Sequence, residues 1–260
     1  MTIFDTHAHY DDRRFFGDEM TVSRDGLLDE LFKTTVSGIL NCATCLENFS
    51  DTLDLSQRYA NIYAALGIHP SDCYRYESLP DSLAALEAAL NENDVRAIGE
   101  IGLDYHYDFS PRDKQREYFD AQLRIAEKAG VPAVIHDRDA HGDVFEFIRG
   151  FKGTAIIHSC SESAEIVRQL CKKGHYVSFS GSVTFKNAHS VREAAAAVPD
   201  ELLLVETDCP YMAPVPFRGK LNHSGYIKYM IDCLAEVRGA TPEHIERITE
   251  QNAKRLFRAG

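Results

Sequence analysis

Four histidines and two carboxylates, His7, His9, His136, His158, Glu100 and Asp208, are the residues whose types and placement could do chemistry together. His7-Ala8-His9 has the spacing of two side chains on one face of an extended segment, so both imidazoles can turn the same way. Imidazole and carboxylate suit zinc, manganese or iron, and carboxylate also suits magnesium. One ion ordinarily takes about four ligands. The set here is large enough for two ions that share a carboxylate. Such a pair, about 3.5 to 4 Å apart, clamps the attacking and leaving oxygens of a displacement at phosphorus or at a carbonyl carbon.

These residues must be positioned by the elements around them, and each follows a short apolar or β-branched run. The runs at residues 2–5, 36–40, 62–66, 95–98, 131–135, 154–157, 176–179 and 202–205 read as strands, each followed by a longer segment of helical character. Asp5, His7 and His9 fall at the end of the first run, Glu100 after the fourth, His136 and His158 at the ends of the fifth and sixth, and Asp208 just beyond the eighth. Eight βα units predict an α/β chain folded as a (β/α)8 TIM barrel with an additional C-terminal helix, one domain over residues 1–260. In such a barrel the C-terminal strand ends converge on one mouth, so groups remote in sequence can meet there.

The helical segments carry their own punctuation. Leu79, Leu83, Leu86 and Leu90 form one stripe, residues 161–170 are similarly amphipathic, and residues 227–237 follow the eighth strand. Ser110 is expected as an N-cap with Pro111 at the first helical position, the helix closing at Gly130; Thr241 and Pro242 open a last helix over residues 244–257 in the same way. The loop over residues 212–225, rich in Pro, Gly and basic residues, lies where a barrel builds its substrate mouth.

Composition excludes several classes. With 44% hydrophobic and 26% charged residues the chain is of ordinary globular type. No run approaches the roughly 18 apolar residues of a membrane span, and the first residues are acidic where a secretory signal would be basic and then apolar, so a cytoplasmic location is expected. Seven cysteines, an odd number, read as reduced small hydrophobes; Cys42 and Cys45 have CxxC spacing but lie at a strand end with no second pair near them. A net charge of -12 leaves no large basic surface for gripping duplex backbone. It is compatible with a phosphate substrate, because bound cations invert the local field.

Phe4-Asp5-Thr6-His7-Ala8-His9, the run Ile98-Gly99-Glu100-Ile101-Gly102-Leu103-Asp104-Tyr105, His136-Asp137-Arg138-Asp139-Ala140, His158 and Glu206-Thr207-Asp208-Cys209-Pro210-Tyr211 together resemble the signatures of the TatD family of metal-dependent deoxyribonucleases, within the amidohydrolase-like metallohydrolases. Gly67-Ile68-His69-Pro70 and Arg218-Gly219-Lys220 resemble two further elements of that family, and the likeness spans nearly the whole chain. The resemblance implies that His7, His9, Glu100 and Asp208 hold one ion. Glu100 would also reach the second ion, which His136 and His158 complete. It further implies attack of a water or hydroxide between the ions on a DNA phosphodiester, Asp208 accepting or steering its proton.

The same comparison suggests substrate contacts. Arg138, two residues beyond His136, can offer a fork of donors to a phosphate oxygen, or else pair with Asp137 or Asp139 at the rim. His69 resembles a phosphate-side histidine, the alternative being a satisfied rim residue. Asp104 and Tyr105 could orient ligands or the water from the fourth βα loop, the alternative being exposed polar loop residues, and Arg218 and Lys220 belong to the substrate mouth. Asp5 could accept a hydrogen bond from a ligand imidazole and fix its tautomer, or neutralise a basic neighbour. Arg13-Arg14-Phe15-Phe16 could bind a strand but reads better as a cap on the barrel, and residues 194–197 as a close-packed helix face.

Two loops depart from the family pattern. After His158 the chain has Ser159-Cys160-Ser161-Glu162 where Cys-Phe-Ser-Gly is common, and after Lys220 it has Leu221-Asn222-His223-Ser224 in place of Arg-Asn-Glu-Pro. The six ligand positions are intact. The expectation is therefore a hydrolase with two divalent ions (Zn, Mg, Mn or Fe) acting on DNA or another phosphodiester, on ends or single-stranded regions, with no membrane and no obligate protein partner. The alternative is an amidohydrolase or small-ester hydrolase that uses the same ions.

Overall fold

The eight apolar runs form the strands β1 (Ile3–Ala8), β2 (Val36–Cys42), β3 (Ile62–Leu66), β4 (Val95–Asp104), β5 (Ala133–Arg138), β6 (Ala155–Ile157), β7 (Tyr176–Phe179) and β8 (Leu203–Val205) in a computed structural model that describes residues 2–17 and 20–259. They lie in one sheet in the order β1 to β8, and the chain has the (β/α)8 barrel fold. Strands buried on both faces need continuous apolar sequence, and β3, β6 and β8 have it. The helices are α1 (Arg24–Thr34), α2 (Phe49–Arg58), α3 (Leu79–Glu92), α4 (Arg112–Ala129), α5 (His141–Gly150), α6 (Ala164–Lys172), α7 (His189–Ala197), α8 (Ile227–Arg238) and the additional α9 (Pro242–Phe257). No helix among the described residues is long and apolar enough to cross a membrane.

The chain sorts into two compact units, one of residues up to Asn41 with those from His158 onward, the other Cys42–Ile157. In the second unit β4 runs on past residue 98 to Asp104, because glycine lets β5 come close. A Cβ on Gly99 would lie 2.5 Å from Val134 Cβ, and one on Gly102, where φ is 145°, would lie 2.0 Å from the His136 carbonyl oxygen. The parallel register sets Gly102 opposite His136 and Asp104 opposite Arg138. β5 starts at Ala133 and not at residue 131, since Gly130 closes α4 in the left-handed conformation, Val131 still donates to the Ala126 carbonyl, and Pro132 has no N–H to give.

Helix α4 ties the strand ends together through two wholly buried glutamines. Gln115 accepts the Asp104 N–H at 2.8 Å and donates to the carbonyls of Asp104 and Ser110; Gln122 accepts the Ile68 N–H at 2.7 Å and donates to the Ile68 carbonyl. Ser110 does not cap this helix, contrary to expectation. Its hydroxyl is buried and accepts the Tyr74 N–H at 3.0 Å, so Pro111 stands at the cap position instead. Likewise α6 begins at Ala164, capped by Ser163, later than residue 161.

In the first unit β1 meets the chain that leaves β8. Ala8 pairs with Cys209, the His9 N–H donates to the Cys209 carbonyl at 2.8 Å and the Asp208 N–H to the His7 carbonyl at 2.9 Å. Helix α9, capped by Thr241 with Pro242 in its first turn as expected, seats Phe257 on Phe4 with ring centroids 5.6 Å apart. Burying a side chain of that size contributes about 1.5 to 3 kcal/mol. Cys42 ends β2, and all seven cysteines are free thiols.

Candidate metal centre

Strand β1 carries His7 at its C-terminal end and His9 just beyond it. Two-residue spacing sends both rings the same way, and their Nε2 atoms lie 3.0 Å apart, both side chains buried. His158, the first residue after β6, stacks on His7 with centroids 4.1 Å apart. Asp208 joins them from beyond β8, one carboxylate oxygen 3.9 Å from His7 Nε2 and 3.6 Å from His9 Nε2. Its φ of 57° is left-handed, a conformation that costs a non-glycine residue about 1 kcal/mol or more. The Asp208 N–H bond to His7 and the Tyr211 N–H bond to the Asp208 carbonyl hold it there.

Glu206, which the reading of single residues passed over, belongs to the same group. It is wholly buried; Oε1 lies 3.2 Å from His158 Nδ1 and accepts the Ser159 N–H at 2.7 Å, while Oε2 meets no hydrogen-bond partner among the described residues. His7, His158 and Glu206 each offer a ligand atom within 4.8 Å of the others. A buried carboxylate oxygen with no partner is costly, and a cation among these donors would satisfy it. The signal was present in the sequence as the first residue after β8.

Asp5 stands behind this group with its carboxylate turned to Thr207 and Ser224. It accepts the Thr207 N–H at 2.9 Å and the hydroxyls of Thr207 and Ser224 at 2.6 Å each, in place of a ligand imidazole. Burial pushes its carboxyl up to about 6 against the pull of these bonds, with Glu206 adding to the rise. Its position orders the segment that leads into Asp208.

The second unit brings together Glu100, His136, His69 and Asp104. Glu100 Oε1 lies 2.7 Å from His136 Nδ1 and 3.5 Å from His69 Nε2, and the three residues have ligand atoms within 4.8 Å of one another. The other nitrogen of His136 lies 3.2 Å from Asp104, whose second oxygen accepts the N–H groups of His106 and Tyr107. Burial raises the Asp104 carboxyl, but the bond from His136 and that from the Tyr107 N–H outweigh it and hold it below the usual range. His69 accepts the Ser71 N–H on Nδ1 at 3.1 Å, so the proton of its neutral ring sits on Nε2, facing Glu100. Burial and the neighbouring His136 lower its basicity, despite Glu100.

The expected substrate contacts are distributed more widely. Arg138 is exposed, and among the described residues its guanidinium has no partner; Asp137 is taken by His141 at 2.9 Å and Asp139 by His106 at 3.0 Å. The Tyr105 hydroxyl donates to Asp143 at 2.6 Å, and Arg116 binds the same carboxylate. Arg218 lies over Phe185 at 4.1 Å and Lys220 is 5.9 Å from the Phe217 ring, both exposed. In the segment Arg13–Phe16, Phe15 is buried against Tyr10, and Arg14 is fixed by Asp12 and lies 3.9 Å over Tyr211.

The family model described as "TatD related DNase" matches residues 4–258. The chain belongs to the TatD family. Within this family of metal-dependent hydrolases it is 38% identical over 98% of its length to an uncharacterized metal-dependent hydrolase of Bacillus subtilis strain 168, YabD, covering 99% of that protein. It is 34% identical to a second such hydrolase, YcfH of Escherichia coli K12, over 99% of this chain and 96% of that one. The crystal structure of YjjV, a TatD homologue from Escherichia coli K12, superposes with a TM-score of 0.90 at 29% identity, covering 99% of this chain and 98% of that one. The TatD-family donor set, imidazole nitrogens with carboxylate oxygens, fits divalent cations.

Proposed function

We propose that this chain hydrolyses phosphodiester bonds of DNA with two divalent ions, acting on ends or single-stranded regions, as one hydrolase domain over residues 1–260. The family match over residues 4–258 carries the proposal. The two groups of imidazole and carboxylate donors, one buried and one part-buried, give it a chemical basis. His7, His9 and Asp208 would hold one ion and His136 and His158 the other, with Glu100 serving both, as the family resemblance implies. Such a pair, when bound, polarises the phosphoryl group and lowers the pKa of a coordinated water.

The remaining work falls to side chains of this protein. Asp208, less buried than the imidazoles it faces, accepts the proton of the attacking water. Asp104 holds the ring of His136, and His69 holds Glu100 by its Nε2–H, so that the donors keep their geometry without substrate. Arg138, with no carboxylate partner among the described residues, binds a phosphate oxygen, and Arg218 and Lys220 approach the strand from the loop after β8. Tyr105 fixes the base of the fourth βα loop through Asp143. A net charge of -12 disfavours long duplex and favours ends and single strands. Seven free thiols fit a reducing, cytoplasmic setting.

The test is a hydrolysis assay of metal-stripped protein reloaded with zinc, manganese, magnesium or iron(II), against single-stranded, duplex and nicked DNA, small phosphodiesters and cyclic amides. Release of nucleotides that depends on an added ion is expected. Turnover of amides alone, or of no phosphodiester with any ion, overturns the assignment.

A further inference from the structure

The loop that leaves β4 at Asp104 carries three rings in succession. His106 meets Tyr107 edge-on with centroids 4.9 Å apart, and Tyr107 stacks on Phe109 at 5.4 Å with planes 13° apart. Tyr107 is 57% exposed and Phe109 64%, and Tyr74, tied by its N–H to Ser110, is 58% exposed. Stacked rings left in water form a contiguous apolar face, the kind of feature found at interaction sites.

The stack is held in place before anything covers it. Asp108, between the two rings, has a left-handed φ of 54°, and its carboxylate is gripped by Arg112 Nε at 3.0 and 3.1 Å. Asp104 anchors the loop start through the N–H groups of His106 and Tyr107, and Asp139 holds the His106 ring at 3.0 Å. Among the described residues Phe109 has no ring partner but Tyr107, so its outer face is open.

The chemistry around the rings narrows the ligand. Asp108, Asp139 and Asp143 are each paired, with Arg112, His106 and Arg116, so the surface offers aromatic faces more than negative charge. Arg138, a cation with no carboxylate partner among the described residues, stands opposite Asp104 in the sheet register, and its carbonyl accepts the Tyr105 N–H. Asp104 in turn bonds His136. A ligand that offers a flat uncharged ring to these faces and an anion to Arg138 is a nucleotide with its base unstacked.

Resting on the phosphodiester reading above, we propose that Tyr107 and Phe109 form a stacking platform for one base of a single-stranded nucleic acid, Arg138 being the cation its phosphate meets. Every base has an aromatic face, so the platform is tolerant of sequence. Bases inside a duplex are stacked already, so it selects single strands and frayed ends.

The experiment measures binding of a short labelled oligothymidylate and of an abasic strand of equal length, both phosphorothioate-linked to slow cleavage, by fluorescence anisotropy. The wild-type protein should bind the base-bearing strand about tenfold more tightly than the abasic one. The variants Tyr107→Ala with Phe109→Ala, and Phe109→Leu alone, should lose that difference and keep the abasic affinity, whereas Tyr107→Phe should retain it. Equal wild-type affinity for the two strands, or equal weakening of both by the variants with the fold intact by circular dichroism, overturns the platform. A protein that prefers the base-bearing strand but cleaves neither strand in its unmodified phosphodiester form with any ion keeps the platform and loses the phosphodiester reading. One that binds the two strands equally and cleaves both in unmodified form does the reverse.

Discussion

Glu206 and His158 face each other across 3.2 Å, and the second oxygen of that same buried carboxylate has no hydrogen-bond partner among the described residues. One oxygen orients an imidazole while the other remains available beside His7. Glu206→Gln keeps the shape and removes the charge, and should weaken metal affinity about ten- to a hundredfold. Titration of the stripped variant with zinc or manganese, followed by calorimetry, checks this; unchanged affinity would make Glu206 a packing residue only.

Asp208 is partly open to water, and it faces two buried rings. Asp208→Asn should lower kcat by about a hundred- to ten-thousandfold as the proton acceptor is lost. The fold should persist, since the bonds that hold its left-handed backbone are made by the main chain. Single-turnover rates on a metal-loaded variant are the measurement, and near-wild-type turnover would remove Asp208 from the chemistry.

Gln115 satisfies three main-chain groups at once in a site without solvent. Gln115→Leu strands those groups and should cost about 2 to 4 kcal/mol of stability, at about 1 to 3 kcal/mol for each orphaned partner with some relaxation. Urea denaturation reads the loss directly. A change below about 0.5 kcal/mol would mean that water replaces the amide.

His175 is buried, and burial together with the neighbouring Lys173 lowers its pKa from 6.5 to about 4. Between those values the unfolded chain binds the proton more readily than the folded one, so stability falls as pH drops from about 6.5 towards 4 and is fully retained above that window. The limit is about 3 kcal/mol for this group. Denaturant midpoints at a series of pH values should show the slope, and His175→Leu should flatten part of it.

Strand ends were legible because each chemical group follows an apolar run whose length and β-branching identify it, and parallel βα units leave one architecture that gathers such ends. His7 and His9 declare themselves by two-residue spacing. Glu206 did not, since a buried glutamate that orients a histidine and an exposed one at a strand end look the same in a string of letters. Gln115 and Gln122 were hidden for a related reason: on an amphipathic helix a polar residue is assigned to the wet face, and only the uncapped strand ends opposite show why these two face inward. Ser110 was read as a cap because Ser-Pro favours one, yet a tertiary partner, the Tyr74 N–H, claimed its hydroxyl.

Gln115 and Gln122 stand two turns apart on α4, roughly 10 Å along its axis. One gauges the end of β4 next to the ring of His136, and the other gauges Ile68 next to His69. A rod of backbone hydrogen bonds thus serves as the ruler between two loops that bear donors. Lengthening or shortening that interval by a single residue would rotate one of the two amides by about a third of a turn, away from its strand, and break one of the two ties.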